Sequence, residues 1–331
     1  MTPAFKIIVN GTDITGKVND RLISLTVVDN DGGKADEVTL ILDDRDFALE
    51  VPKKGATMIA FQGYVETGVA MMGEFKVNRA KRQFDKAGGA TMEITGKSAD
   101  LKKEMKSQRH GRYVDKTIKQ IVNEVAGRHG MTAIVSPKIG QLKRTPEYQT
   151  EESDLHFVTR LASDHDAVFK VAGGKWLFLA RDEISQPAII LRKGDFSKCE
   201  VETDDRAEHK KARAHYHDRG EVKRKEEQDD NGEGGEFTLR HTFQSKDVAE
   251  AAAKAKKRQL ERAAKTLNGE GPGNVQIMAG AKLITMIGAE LYDGEWRIKT
   301  ATHVTTKEGY KTSLTAGTDE RGGEGGGDGG E

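Results

Sequence analysis

Alternating apolar and polar residues run through the first hundred positions of this chain. Ile23, Leu25 and Val27, for example, are separated by hydroxyl-bearing residues. Successive side chains of a β-strand point to opposite faces, so this period of two predicts a strand with one buried face. Comparable short segments are Phe5–Val9, Val38–Leu42, Met58–Phe61, Phe75–Asn78 and Met92–Ile94. Regularly spaced short strands predict an antiparallel barrel or sandwich over residues 1–100.

The periodicity changes over residues 101–195. Apolar residues recur there at steps of three and four, which predicts a helix with one buried face; they are Val114, Ile118, Ile121, Val122 and Val125. A second helix is predicted over 153–164, capped by Ser153 or Thr150. A hairpin around Gly173-Gly174 follows, over 167–180. The middle of the chain is therefore predicted to be mixed α+β.

Strand patterns return over residues 196–316. Alternation predicts strands at Ala212–His217 and Phe237–Phe243, and the charged segment 219–236 between them is predicted to be a solvated loop. An Ala- and Lys-rich helix is expected over 246–267, ending at Asn268-Gly269. Further strands are predicted at Val275–Met278, Leu283–Ile287, Glu295–Thr300, Thr302–Thr305 and Tyr310–Ala316. The Gly-rich acidic tail 317–331 cannot bury a core and is expected to be disordered. The predicted class is α+β, mainly β, with two β domains joined by a mixed region.

Charge and cysteine content exclude several functions. The chain has 53 basic and 53 acidic residues, so no net field attracts nucleic acid and no specific nucleic-acid binding is expected. Cys199 is the single cysteine, which excludes an internal disulfide and a cysteine-based zinc site and is consistent with synthesis in a reducing cytoplasm. No signal peptide and no apolar run long enough for a membrane span are recognised.

Residues with chemical potential do not form a recognisable catalytic motif. His215 and His217 share one face of a predicted strand, but no third zinc ligand is evident, so a solvated strand face is the preferred interpretation. Asp43 and Asp44 lie beside Arg45 where a strand ends, a position at which Asp commonly stabilises a turn. No nucleophile, phosphate-loop or zinc-protease motif occurs. We therefore predict no catalytic, cofactor or metal site.

Several segments, in order, are similar to a known family. Residues 9–15 (VNGTDIT), 36–46 (DEVTLILDDRD), 73–77 (GEFKV), 96–101 (GKSADL) and 149–162 (QTEESDLHFVTRLA) resemble segments of the phage late control protein D family. Residues 294–298 (GEWRI), with Trp296, and 309–312 (GYKT), with Tyr310, resemble its closing strands. The segment 149–162 is also similar to a helix in type VI secretion spike proteins. The resemblance extends over about residues 5 to 316.

This resemblance implies a structural baseplate hub of a contractile phage tail. In the family, two tube-like β-barrels from each of three subunits form a pseudo-sixfold ring that connects the sixfold tail tube to the threefold spike. The implied partners are two further copies of the chain, the tail spike, the tail tube and other baseplate proteins, within a virion assembled in the host bacterial cytoplasm. No cofactor and no enzymatic activity are implied.

The match also suggests which residues matter for structure and assembly. The candidates are Asp43, Asp44, Ser153, Asp154, Leu155, Phe157, Arg160, Leu161, Trp296 and Tyr310. Ser153, Asp154 and Arg160 are expected to cap and fix the middle helix, and Leu155, Phe157 and Leu161 to anchor its core. Two alternatives remain at this stage: a tail hydrolase that degrades the cell wall, and the hub of a type VI secretion or tail-like bacteriocin particle.

Overall fold

The computed structural model describes residues 1–32, 34–85, 89–98, 105, 107–143, 146–172, 174–181, 187–203, 209–218, 223–229, 235–243, 246–261 and 265–318. The sequence prediction for the tail beyond Thr318 lies outside these residues. The described residues form three regions: a first β module, a middle region and a second β module.

The first β module contains seven strands and a short helical segment that continues into a 3-10 turn at Asn19–Arg21. The strands are β1 (Pro3–Val9), β2 (Thr12–Asp13), β3 (Leu22–Asn30), β4 (Glu37–Asp43), β5 (Thr57–Tyr64), β6 (Gly68–Asp85) and β7 (Gly89–Lys97), and α1 is Thr15–Val18. Alternate residues of β4 are buried, namely Val38, Leu40 and Leu42. They pack with Leu25, Phe75 and other apolar residues in one core, as the alternating pattern predicts.

The middle region combines short strands with two amphipathic helices. Its elements are β8 (Gln108–Tyr113), α2 (Ile118–Arg128), β9 (Thr132–Val135), α3 (Pro137–Gly140), β10 (Glu147–Ser153), α4 (Asp154–Asp164), β11 (Ala167–Ala172) and β12 (Lys175–Ala180). β8 pairs with β10, and β12 pairs with both β11 and β9. The buried faces of α2 and α4 pack around Trp176 and Phe178 in a second core.

The second β module follows and carries one longer helix. Its elements are β13 (Ile189–Arg192), β14 (Lys198–Thr203), β15 (His209–Asp218), β16 (Lys223–Asp229), β17 (Gly235–Phe243), α5 (Lys246–Glu261), β18 (Lys265–Pro272), β19 (Lys282–Met286), β20 (Gly294–Thr305) and β21 (Tyr310–Thr318). β15 lies between β16 and β17 in a small sheet, which packs against α5 through alanine residues.

The two β modules share a single large sheet. Its strand order is β14-β18-β21-β20-β3-β4-β7-β6-β5-β1-β2, and β19 and β13 are added beside β20. β3 and β20 are neighbours in this sheet although they lie near opposite ends of the sequence: Asn30 pairs with Thr300, and Leu25 pairs with Thr305. The fold class predicted from the sequence, α+β and mainly β, is confirmed.

The structure corrects several boundaries. The predicted loop 219–236 is wrong over Lys223–Asp229, which forms β16 by pairing with β15. The predicted helix 246–267 is wrong at its end, because 265–272 is strand β18. Val275–Met278 is not a strand, and the two strands predicted within 295–305 are one strand with a bulge between Ile298 and Thr300. Val114 is exposed and precedes α2, whose N-cap is Thr117.

Candidate functional site

The junction between the two β modules begins with direct strand pairing. β3 and β20 run antiparallel, from Asn30 opposite Thr300 to Leu25 opposite Thr305. Backbone hydrogen bonds of a ladder hold strands at a fixed spacing and register. The orientation of one module relative to the other is therefore set by main-chain geometry and does not depend on a flexible linker.

Gln62 of β5 ties the same two strands together from the side. Its side chain is fully buried, and its Nε2 donates to the Leu25 carbonyl oxygen at 2.9 Å and to Thr305 Oγ1 at 3.0 Å. A buried amide gains most from hydrogen bonds because it has lost its contacts with water. One side chain thus joins β5, β3 and β20 in the interior of the junction.

A buried polar cluster extends this contact to the end of the second module. His303 Nε2 lies 2.9 Å from the Ile277 carbonyl oxygen, and its Nδ1 lies 2.9 Å from the Tyr310 hydroxyl. Since the carbonyl can only accept, Nε2 carries the proton and Nδ1 accepts. Burial lowers the pKa of His303 and raises the pKa of Tyr310 to about 12, so both groups are neutral near pH 7.

The Tyr310 ring also reaches the first module. Its centroid lies 5.4 Å from that of Tyr64, which is the last residue of β5. Trp296, the other candidate from the closing strands, is buried in the core of the second module, where its Nε1 donates to Thr285 Oγ1 at 2.8 Å. Tyr310 therefore contributes to the module junction, and Trp296 to the core of one module.

Acidic residues at the β3–β4 turn connect the first module with the other two regions. Lys170 of β11 places its Nζ 2.8 Å from Asp29 Oδ1 and 2.8 Å from Asp36 Oδ1. Asp29 Oδ2 also accepts from the Ala279 backbone nitrogen at 2.8 Å. Burial raises the pKa of Asp36, which Lys170 only partly offsets, whereas the two carboxylates keep the pKa of Lys170 above its usual value despite burial.

Asp31 makes a second connection of the same kind. Its Oδ2 lies 2.8 Å from Arg181 Nη1 and 3.8 Å from Arg297 Nε. Gly32 follows with a φ of +76°, and a Cβ there would lie 2.9 Å from Val168 Cγ1. A side chain at this position would separate the turn from β11, so glycine is required both by its backbone conformation and by the close approach.

The segment that most resembles the family forms the hydrogen-bonded start of α4. Ser153 is the N-cap and accepts from the His156 backbone nitrogen at 3.2 Å. Arg160 contacts Glu147 at 3.0 Å, Glu152 at 2.7 Å and the Tyr148 carbonyl oxygen at 2.9 Å. These contacts outweigh burial and raise the pKa of Arg160. Phe157 and Leu161 are fully buried, and Leu155 packs against the same core while remaining partly exposed.

Asp154 is the centre of a buried polar network under α4. Its carboxylate accepts from Gln149 Nε2 at 2.8 Å, contacts His129 Nε2 at 2.8 Å and lies 3.3 Å from Arg128 Nη1. The side chains of Asp154 and His129 are 0% and 2% exposed. An acid–base pair that acts on a cell-wall polymer must reach its substrate, and this pair is covered by protein. The arrangement instead fixes α4 on α2 and β10.

The two aspartates at the end of β4 hold the chain reversal that follows. Asp43 pairs with Arg45, which lowers the pKa of Asp43. Asp44 is fully buried, accepts from the Leu49 backbone nitrogen at 3.0 Å and lies 2.8 Å from Arg82 Nε. The turn residue Phe47 has a φ of +54° and is exposed beside Phe84. The aspartates thus shape a surface loop.

The ten candidates do not form one cluster. The six from 153–161 lie together on α4, Asp43 and Asp44 lie at the loop, and Trp296 and Tyr310 lie in the second module. The residues that join all three regions, Asp29, Asp31, Asp36, Lys170 and Arg181, were missed. Their charges form no local pattern that predicts a site, because Asp29 and Asp31 pair with residues that are distant in sequence.

Within the described ranges, no group of three or more His, Cys, Asp and Glu side chains is arranged to hold a metal ion. His215 is buried in β15, so the predicted solvated strand face is wrong at this residue. The helices among these residues include none that is both long and apolar enough to cross a bilayer.

Comparison with known proteins relates this geometry to phage tails. The family model of the phage tail baseplate hub matches residues 23–309. A probable baseplate hub protein of Escherichia phage 186 is 35% identical over 179 residues, which are 54% of this chain and 45% of that protein. The match thus covers less than half of the length of that curated relative.

Solved structures show the same fold at low sequence identity. A tail protein from Neisseria meningitidis has a TM-score of 0.73 at 12% identity, with 96% of this chain and 97% of that chain covered. A type VI secretion system component from E. coli has a TM-score of 0.56 at 14% identity, with 91% and 74% covered. At these identities the similarity concerns the fold alone.

Proposed function

Because this chain belongs to the phage tail baseplate hub family, we propose that it forms a trimeric ring that connects the tail tube to the central spike of a contractile tail. Three copies supply six β modules, so a sixfold tube meets a pseudo-sixfold surface on one side, and a threefold spike meets a threefold surface on the other. Closed rotational symmetry allows each contact to be satisfied without free ends.

The observation that carries this proposal is the rigid junction between the two β modules. A ring of six near-equivalent positions requires that two modules of one chain keep a fixed angle. That angle is constrained by the β3–β20 ladder, by the hydrogen bond from Gln62 to Thr305, and by the contacts of Asp29 with the Ala279 backbone nitrogen and of Asp31 with Arg297. A flexible linker would leave each module free to find its own partner, and the ring would not be specified.

The candidate assembly residues are consistent with this function because they stabilise the fold of the hub. α4, with its Ser153 cap and the Arg160 and Asp154 networks, is packed between the β10 strand and the second core. The loop that Asp43 and Asp44 hold presents Phe47 to solvent. We assign these residues to stiffening and shaping the hub and assign no substrate to any of them.

Two results would test the proposal directly. Solution mass of the purified chain, alone and mixed with a tail spike protein, is expected to give a trimer or a complex with three hub chains. A chain that stays monomeric in both conditions would contradict the proposal. Peptidoglycan incubated with the purified chain is expected to stay intact, and clearance of the peptidoglycan would favour the hydrolase alternative. The type VI secretion alternative shares the fold and is distinguished by which spike protein the chain binds.

A further inference from the structure

The two ends of the shared sheet differ in what lies against them. At one end the middle region packs on the β3–β4 turn, where Lys170 and Arg181 form ion pairs with Asp29 and Asp31. At the opposite end β3 begins at Leu22, and the chain reverses after β4, between β6 and β7, and between β20 and β21. This second end, named here the hairpin end, is the end that the β6–β7 hairpin reaches.

At the hairpin end, the β6–β7 hairpin extends beyond the second module. One row of residues crosses the sheet in register, namely Thr305, Leu25, Leu40, Ile94 and Ala80. β20 reverses at this row, because Thr305 also pairs with Tyr310. β6 and β7 continue for five further pairs, to Asp85 and Gly89. At about 3.3 Å per residue, the hairpin projects about 17 Å further than the β20–β21 turn.

Two exposed phenylalanines lie on this projection. Phe84 of β6 is 67% exposed, Phe47 in the loop after β4 is 56% exposed, and their ring centroids are 6.2 Å apart. Exposed apolar side chains that adjoin one another mark interaction sites, whereas scattered ones are ordinary. The β20–β21 turn of the second module instead exposes Lys307 and Glu308. The corresponding hairpins of the two modules therefore differ, and that of the first module carries the aromatic pair.

Buried polar contacts hold the loop of Phe47 in one conformation. Asp44 is fully buried, its backbone nitrogen donates to the Ala90 carbonyl oxygen at 2.9 Å, and its carbonyl oxygen accepts from the Phe47 nitrogen at 2.8 Å. Its carboxylate accepts from the Leu49 nitrogen at 3.0 Å and lies 2.8 Å from Arg82 Nε. Phe47 has a φ of +54°, which bulky residues rarely adopt. A loop constrained in this way presents its aromatic ring with little ordering cost on binding.

The position of the aromatic pair indicates its partner. Modules adjoin one another sideways, as β3 and β20 do within one chain, so the strand ends point along the axis of a ring of modules. A group that projects beyond the strand ends therefore contacts a body stacked on the ring and not a neighbouring hub chain. A tube of stacked sixfold rings requires access to the strand ends of all six modules. This requirement favours the hairpin end, because the middle region lies at the other end.

We infer that Phe47 and Phe84 of each hub chain insert into apolar pockets on the facing end of the tail tube. This inference rests on the proposed hub function and specifies its tube contact. One module of each chain bears the pair, so three anchors at alternate positions of the ring hold a tube that offers six equivalent pockets. The spike is left with the end at which the middle region lies. Aromatic side chains seated in pockets supply a large share of the binding energy at protein interfaces.

Co-sedimentation of the spike-bound hub with assembled tail tubes tests this contact. Phe47→Ser combined with Phe84→Ser should weaken tube binding by at least about tenfold, because both apolar anchors are lost. Phe47→Leu combined with Phe84→Leu should retain most of the binding. The matched control is Ile134→Ser, which changes an exposed apolar residue of the middle region and should leave tube binding unchanged. All of these variants should keep the native urea midpoint and still bind the spike, since the changed residues are exposed.

Photo-cross-linking identifies the partner. In a Cys199→Ala background, Phe84→Cys carries a maleimide–benzophenone label, and Ile134→Cys with the same label is the control. We expect adducts with the tail tube protein from position 84 and none from position 134. Adducts from position 84 only with the spike or with a second hub chain, or full tube binding by the serine variant, would overturn this inference, and a trimeric hub would leave the proposed function intact. A chain that remains monomeric with and without the spike would overturn both.

Discussion

Lys170 offers the sharpest test of the three-region junction. Its Nζ is 2.8 Å from a carboxylate oxygen of Asp29 and 2.8 Å from one of Asp36, and the three side chains are 20%, 13% and 15% exposed. Lys170→Met keeps the aliphatic stem and removes the charge. Two mostly buried carboxylates then remain without their cation. Breaking a buried ion pair by removal of one partner costs about 3–5 kcal/mol. We expect a loss at the lower end of that range, because water reaches part of the cluster.

The pH dependence of this loss has a definite sign. Burial already raises the pKa of Asp36 in the native chain, and removing Lys170 raises it further. A carboxyl whose pKa is higher in the folded than in the unfolded state takes up protons preferentially when folded. Acidification from neutral pH towards and below its elevated folded pKa therefore stabilises the variant relative to the native protein. The difference in unfolding free energy between the two should shrink as the pH falls.

Urea denaturation followed by tryptophan fluorescence measures both effects. Trp176 reports on the middle region and Trp296 on the second module, and both are buried. Lys175→Met is the matched control, since Lys175 is exposed on β12, and it should change stability by no more than about 0.5 kcal/mol. Adding Asp36→Asn to Lys170→Met should recover stability. A Lys170 variant as stable as the control, or a loss that is constant with pH, would refute the reasoning.

Three further changes probe other parts of the fold. Gln62→Met removes the buried hydrogen bonds to β3 and β20 and should lower the unfolding free energy by about 1–3 kcal/mol. Gln83 is exposed, so Gln83→Met should leave the unfolding free energy unchanged. Equal urea midpoints for the two variants would contradict this. Phe157 stacks on Tyr113 in the core, so Phe157→Ala should lower the unfolding free energy by about 3–5 kcal/mol in the same assay, and Phe157→Leu should lower it far less. Equal losses for the two variants would contradict this. Burial lowers the pKa of His303, so the unfolding free energy of the native chain should fall as the pH drops below 6.5, and His303→Gln should reduce that fall. The same change in unfolding free energy between pH 7.5 and 5.0 in both proteins would contradict this.

Strands with clear alternation were predictable from local sequence. β3, β4 and β5 were found because each buries every second residue in one core. α4 was found because its apolar stripe follows a Ser153 cap. In these elements the residues that form the local apolar pattern are also the residues that pack in the core, so a single sequence is enough to recognise them.

Elements whose residues contradict the local pattern were missed. β18 contains Asn268, Gly269, Gly271 and Pro272, which ordinarily signal a turn. Tertiary packing explains its glycines: a Cβ at Gly269 would lie 2.6 Å from the Phe196 ring, and one at Gly271 would lie 2.3 Å from the Asp195 carbonyl oxygen. The close approach of β18 to Asp195 and Phe196, just before β14, therefore selects glycine inside a strand.

The candidate site was predictable only in part. Resemblance pointed to α4 and to Trp296 and Tyr310, which the structure places in cores and at the module contact. The acidic turn with Asp29, Asp31 and Asp36 could not be recognised, because Lys170 and Arg181 are more than a hundred positions away in sequence. Long-range ion pairs leave no periodic trace, and only the folded chain brings their charges together.

Electron cryomicroscopy of the chain bound to its spike tests the central claim most directly. The account predicts end-on averages with six β lobes arranged as three chemically identical pairs, each pair continuous through one chain at the β3–β20 ladder. Six lobes contributed by six chains, or a ring in which the two modules of one chain are separated, would contradict it.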